Sequence, residues 1–262
     1  MLHSKTICIT AISALVLVGI HVKGEHGTEP SRQQVFDHRL PRVDWIRTPG
    51  GGEFRGLVLR IAVDEHGAVT SAEVTEGPKE FREAALTLAK TWKYKPFQQA
   101  GKPQAAIFTD YISLLPPERP ARMNVPFPTV HDWTTMRITL KRTRCYGGCP
   151  AYELQISGNG DVLFEGSFPE KLEQHGKVSR VELERLLDAF RTAHYYGLDR
   201  EYVVNVTDQP ACITSISIDG QSMSVTDYGG LQVGMPTSVA DLESAIDQIA
   251  GTSKWLHAEE GR

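Results

Sequence analysis

Between Arg142 and Tyr152 the chain reads Arg-Thr-Arg-Cys-Tyr-Gly-Gly-Cys-Pro-Ala-Tyr, and no other stretch leaves the backbone so little choice. Before it, Met136, Ile138 and Leu140 alternate with Arg137, Thr139 and Lys141 within Thr134 to Lys141, the pattern of a half-buried strand. After it, Tyr152, Leu154 and Ile156 alternate with Glu153, Gln155 and Ser157. Between them Gly147 and Gly148 permit positive φ, and Pro150 offers no donor and biases Cys149 toward extended backbone. The spacing therefore predicts a tight turn joining two strands, with a cysteine on either side.

Three chemistries fit such a pair. A disulfide between Cys145 and Cys149 is sterically accessible, and closing so short a loop contributes only about 2 kcal/mol, a local clamp. A redox-active pair is the sharper alternative, and Arg142 and Arg144 could depress a thiol pKa. Redox motifs, however, place Cys-x-x-Cys at a helix N-terminus, whereas here the spacing is Cys-x-x-x-Cys and a strand follows. A zinc site needs about four ligands, and neither a second cysteine pair nor a His-x-x-x-His follows. The clamp is preferred, redox work stands second and metal last; no metal ligand or catalytic residue is assigned.

These residues carry a resemblance. Arg144-Cys145-Tyr146-Gly147-Gly148-Cys149-Pro150-Ala151-Tyr152, then Gly158-Asn159-Gly160, Thr207-Asp208-Gln209-Pro210 and Asp227-Tyr228-Gly229-Gly230, together resemble a bacterial domain family of unknown function. The likeness runs from about Trp133 to Gly251 and implies a domain, not a reaction.

The chain has 262 residues, room for two small domains, and a formal net charge of -4. No Lys/Arg block is present, which argues against nucleic acid as partner. Residues 1–24 read as a signal peptide. Thr6 to Ile20 is apolar but would span only roughly 22 Å of a ~30 Å hydrocarbon core, and Val22-Lys23-Gly24 resembles a cleavage site. The mature protein is thus expected in the periplasm with no stable membrane span, an uncleaved N-terminal anchor being the alternative. Of the cysteines beyond Cys8, Cys212 shares strand parity with Thr214, Ile216 and Ile218 and is expected to be buried.

Residues 25–40, polar and aperiodic, read as a flexible spacer. From Leu57 to Val63 apolar residues alternate, Asp64-Glu65-His66-Gly67 turns the chain, and Ala68 to Thr75 gives a second strand. Pro78 opens a helix along Phe81, Ala84, Ala85, Leu88 and Trp92, which Pro96 stops, and Ala105 to Leu115 is a third strand. Gly56-Leu57-Val58, Asp64 with Gly67 and Val69, Phe81-Arg82-Glu83 and Trp92-Lys93-Tyr94-Lys95-Pro96 resemble the C-terminal domain of the periplasmic energy transducer TonB over 41–115. The resemblance implies the fold. It does not imply docking to outer-membrane receptors, because the long Pro-rich spacer is missing, the domain comes first, and Leu40 stands where the family has tyrosine.

Residues 116–132 hold five prolines between Pro116 and Pro128 and read as an interdomain linker. In the second domain, 133–262, a three-residue loop Gly158 to Gly160 would pair Ile156 with Val162, and the two-residue loop Asp219-Gly220 would pair Ile216 with Met223. Ser179 and Glu182 form a capping box for a helix stopped at Gly197, and Ser238 caps a last helix closed by Gly251. His131, His175 and His194 lack ligand spacing, and the strand serines Ser215, Ser217, Ser222 and Ser224 form no nucleophile elbow. Gly50-Gly51-Gly52 precedes a strand, not a phosphate-cradling helix.

The expectation is an α+β protein of two small domains, a strand-strand-helix-strand unit followed by an antiparallel sheet with two helices. Its function is read as an exported cell-envelope interaction module, more binding protein than enzyme, capturing an extended protein or peptide segment on a sheet edge. No cofactor is called for. The alternative is a thiol-disulfide enzyme or sensor using Cys145 and Cys149.

Overall fold

A computed structural model describes residues 29–49, 56–146 and 148–256. The signal-peptide reading of 1–24 and the Gly50-Gly51-Gly52 run lie outside the described residues. Among the described residues no helix is long and apolar enough to cross a membrane. The chain is α+β, as expected, and the described residues form two separate sheets of more than two strands and two separate cores.

The first unit is built on α1 (Arg32–His38), β1 (Trp45–Arg47), β2 (Leu57–Val63), β3 (Val69–Glu76), α2 (Arg82–Ala89), β4 (Phe97–Gln99), β5 (Lys102–Gln104) and β6 (Ala106–Leu115). The alternation of Leu57, Leu59, Ile61 and Val63 places four fully or almost fully buried side chains on one face. The sheet order is β1-β6-β2-β3, with β1 parallel to β6 and the other pairs antiparallel.

Three readings of this unit are corrected. The spacer 25–40 includes helix α1, whose Ser31 side chain caps Gln34 N while Gln34 returns a bond to Ser31 N. That capping box went unread among polar residues, and the helix buries Val35 in the core. Helix α2 ends at Ala89, well before Pro96. It follows a 3-10 turn at Lys79–Phe81, and Trp92 reaches the core from beyond the helix. Strand β1 was missed because three residues are too short to show alternation.

The second unit holds β7 (Arg137–Arg142), β8 (Ala151–Ser157), β9 (Asp161–Phe168), β10 (Leu172–Lys177), α3 (Arg180–Thr192), β11 (Glu201–Val203), β12 (Cys212–Ile218), β13 (Gln221–Tyr228), α4 (Thr237–Ala250) and the short α5 (Ser253–Leu256). Its sheet runs β10-β9-β8-β7-β12-β13-β11, antiparallel except that β11 is parallel to β13. Helices α3 and α4 bury Leu183, Leu186, Leu187, Phe190, Val239, Leu242 and Ile246 against it. Both hairpin registers agree with the pattern: Ile156 faces Val162 with Gly160 at φ +90, and Ile216 faces Met223 across Asp219 (φ 46) and Gly220 (φ 80).

Here too the boundaries shift. Thr134 and Thr135 lie in a 3-10 turn, so β7 begins only at Arg137. Helix α3 ends at Thr192, left-handed His194 (φ 48) breaks the chain away, and Gly197 closes the 3-10 turn that follows. Gly197 is free of a Cβ for another reason, since one would collide with the backbone of Arg122. Helix α4 starts at Thr237, two residues before the expected position, with Pro236 at its N-cap.

The proline-rich residues 116–132 lie along the second unit. Arg119 N donates to Gly234 O at 2.7 Å, Arg122 N to Gly197 O at 2.8 Å, and Phe127 meets Tyr196 edge-on at 5.4 Å. Arg47 joins the two units, donating to Pro116 O (2.9 Å) and Met235 O (2.7 Å) and pairing with Glu118 at 3.1 Å.

Candidate functional site

The cysteine turn sits where β7 leaves and β8 enters the sheet. Cys145 and Cys149 are joined by a disulfide with Cα atoms 5.5 Å apart, and both are half-buried. The turn is held from the neighbouring loop: Tyr146 N donates to Asp208 O (3.1 Å), Thr143 N to Ala211 O (2.9 Å), and Ala211 N to the Thr143 hydroxyl (2.8 Å). Asp208 takes positive φ (69°) in that loop, a conformation Asp adopts more readily than most residues. The two motif segments quoted from sequence, the cysteine turn and Thr207-Asp208-Gln209-Pro210, are thus hydrogen-bonded neighbours.

The third segment, Asp227-Tyr228-Gly229-Gly230, closes the same corner. Gln209 N donates to Tyr228 Oη (3.2 Å) and Gly230 N to Asp227 Oδ1 (2.6 Å). A Cβ on Gly230 would meet Met235 Sδ and Asp227 Oδ1 at 2.8 Å and Tyr202 Cβ at 2.9 Å. That crowding explains the second glycine better than any turn requirement does.

Behind these loops lies a cavity of about 350 Å3. Cys149, Pro150, Pro210 and Leu231 form part of its wall, and Arg142, Cys212, Asp227 and Glu243 also line it. Cys212 is a free, buried thiol, as its strand parity predicts. It stands opposite Asp227 in the β12–β13 register, close to the Glu243 carboxyl. Burial first, then the adjoining Glu243, pushes the Cys212 thiol well up, which keeps it protonated. Burial, then the nearby Asp227 charge, raises the Glu243 carboxyl to about 7, and burial raises Asp227 as well. Arg142 at the wall is held by Asp247: Nε and Nη2 both donate to Oδ2, at 3.0 and 2.9 Å. Tyr152 Oη donates to Asp247 Oδ1 at 2.7 Å.

Glu243 had no signal in the sequence. It stands beside Leu242 on a helix whose buried stripe it joins, and only the packing of α4 into the sheet's core brings it to Cys212. Among the described residues no group of three or more His, Cys, Asp and Glu is placed to hold a metal ion. His131, His175 and His194 lie outside the cavity wall.

The first unit contains a second polar cluster. Asp110, fully buried on β6, accepts from Tyr94 Oη (2.6 Å), Arg42 Nη2 (2.7 Å) and Arg39 Nη2. Burial alone would raise its carboxyl, but the Tyr94 hydroxyl and the two guanidiniums outweigh that and hold it below the ordinary range. Arg42 also stacks 3.6 Å over Trp92. The cluster fastens the segment after α1 to the sheet.

Geometry and sequence together define an α+β chain of two sheet units, the second with a cavity that one cysteine of the disulfide lines. Residues 56–112 match the family model of the Gram-negative bacterial TonB protein C-terminal, and residues 136–250 match that of a domain of unknown function, DUF6438. Both matches fall inside the limits read from the residues, so the first unit is similar to the TonB C-terminal domain and the second to that unassigned domain. No curated protein matches the chain.

Proposed function

We propose that the protein is an exported cell-envelope interaction module and that an extended partner segment pairs with the outer edge of β3. The supporting observation is the difference between the two edges of the first sheet. The β6 edge is taken at Ser113–Leu115 by the chain's own β1, and α1 packs beside it. Strand β3 ends the sheet on the other side, with Thr70 and Thr75 hydroxyls turned back onto β2 carbonyls and Glu73 and Glu76 exposed. An open edge of this kind supplies affinity through main-chain hydrogen bonds and selectivity through alternate side chains. The likeness to the TonB C-terminal domain supports an envelope setting, as does the apolar, signal-like N-terminal sequence.

Thiol-disulfide exchange at Cys145 and Cys149 is the rival. It lacks the usual source of thiolate stabilisation, because Cys149 leads through Pro150 into β8 and not into a helix N-terminus.

Selecting a random extended-peptide library on the full chain, then mapping amide hydrogen exchange in the complex, tests the edge reading. Bound peptides should add protection at alternate amides of Val69–Glu76. Protection confined to any other strand would defeat it.

A further inference from the structure

The cavity behind the cysteine turn contains an acceptor without a donor. Glu243 is only 5% exposed, and its Oε1 has no hydrogen-bond partner. A buried acceptor in that state destabilises the fold unless something supplies a donor. The other carboxyl in the wall, Asp227, already accepts from Gly230 N. The cation in the wall, Arg142, is committed to Asp247 and to Tyr152 Oη. At about 350 Å3 the cavity far exceeds the ~30 Å3 that one water occupies in the liquid, so it accommodates more than a structural water.

We propose that this cavity binds a primary alkylamine, its ammonium head on Glu243 Oε1 and its alkyl stem against the rim of Pro150, Pro210 and Leu231. An ammonium fits better than a guanidinium. A single buried oxygen, Oε1, is left without a donor, whereas the planar guanidinium fork favours both oxygens of one carboxylate. A metal ion fits worse, because the adjoining thiol stays protonated and no metal-ligating group of side chains is present among the described residues.

The groups facing Glu243 are Asp227 from β13, Cys212 from β12, Arg142 from β7 and Asp247 from its own helix. With its carboxyl at about 7 in the free protein, an arriving cation favours the ionised form and releases a proton. Binding should therefore tighten as pH rises through that value.

The test is a titration of the full chain with n-butylamine, followed by the NMR shifts of the Gly229, Gly230 and Leu231 amides, with n-butanol as the uncharged counterpart. Saturable shifts are expected with the amine at about pH 8, weakened about tenfold or more at about pH 5 and in Glu243→Gln. Asp227→Asn, which keeps an acceptor for Gly230 N, should weaken binding severalfold. The proposal is overturned if n-butanol binds as tightly as the amine, or if Glu243→Gln leaves amine affinity unchanged. It is equally overturned if the native chain, which needs no variant, binds the amine no better at the higher pH.

Discussion

Glu243 and Cys212 show how far a single residue's chemistry depends on what the fold sets beside it. On its helix Glu243 would titrate near the usual glutamate value of 4.5, but burial and then Asp227 move it to about 7. A carboxyl whose folded pKa lies above its unfolded one leaves the folded state holding more protons between those values. Its stability contribution is full below about 4.5 and is lost as pH rises through about 7. Asp227, also raised by burial, acts in the same direction. Glu243→Gln removes the titration, so in urea unfolding the variant should match the parent near the acid end of that window. Above it the variant should be more stable, by roughly 3 kcal/mol at most. A variant that loses stability equally at both ends would show that the carboxyl's shape, not its charge, matters.

At the scale of elements, α1 and β1 depend on one buried anion. Asp110 holds Arg39 and Arg42, the latter with a side chain only 6% exposed, and these two arginines lie between α1 and β1. Asp110→Ala leaves a buried guanidinium unpaired, which should cost about 3 kcal/mol or more. Hydrogen exchange should then rise at Val35 and Trp45–Arg47 well before it rises in β2. Equal exchange across the unit would place the cluster outside that role. None of this was legible beforehand, because the pattern of Asp110 alternates like its strand neighbours and the arginines are remote in sequence. What was legible followed local rules. The two hairpin registers came from apolar parity and turn residues, and helix α3 from its capping box. The cysteine pairing was readable as one of three chemistries, because a Gly-Gly turn between strands limits where the sulfurs can go. Where long-range contact decides, as for Gly197 under Arg122 or Glu243 over Cys212, local pattern carries no signal.

For the molecule as a whole, the proline-rich residues 116–132 decide where one unit ends and the next begins. Proline content gives such a segment an extended, donor-poor backbone, and the structure lays that backbone on the second unit. Gly234 and Gly197 are the places of closest approach: a Cβ on Gly234 would meet Pro117 O at 2.7 Å, and one on Gly197 would collide with Arg122. Farther along, Ala121, Phe127 and Val130 pack on the second core, and Pro128 is buried. We therefore propose that the second folding unit starts near Pro117, earlier than composition suggests, with Arg47 and Glu118 at the junction. A fragment of residues 117–262 should then be more stable than one of residues 132–262. The shorter piece loses the Phe127–Tyr196 contact, the backbone bonds to Gly234 and Gly197, and the packing of Ala121, Phe127 and Val130 on the core. The lost burial and hydrogen bonds together amount to about 3 kcal/mol or more. Urea unfolding of the two fragments side by side measures the difference, and equal midpoints would return residues 117–131 to the role of a linker.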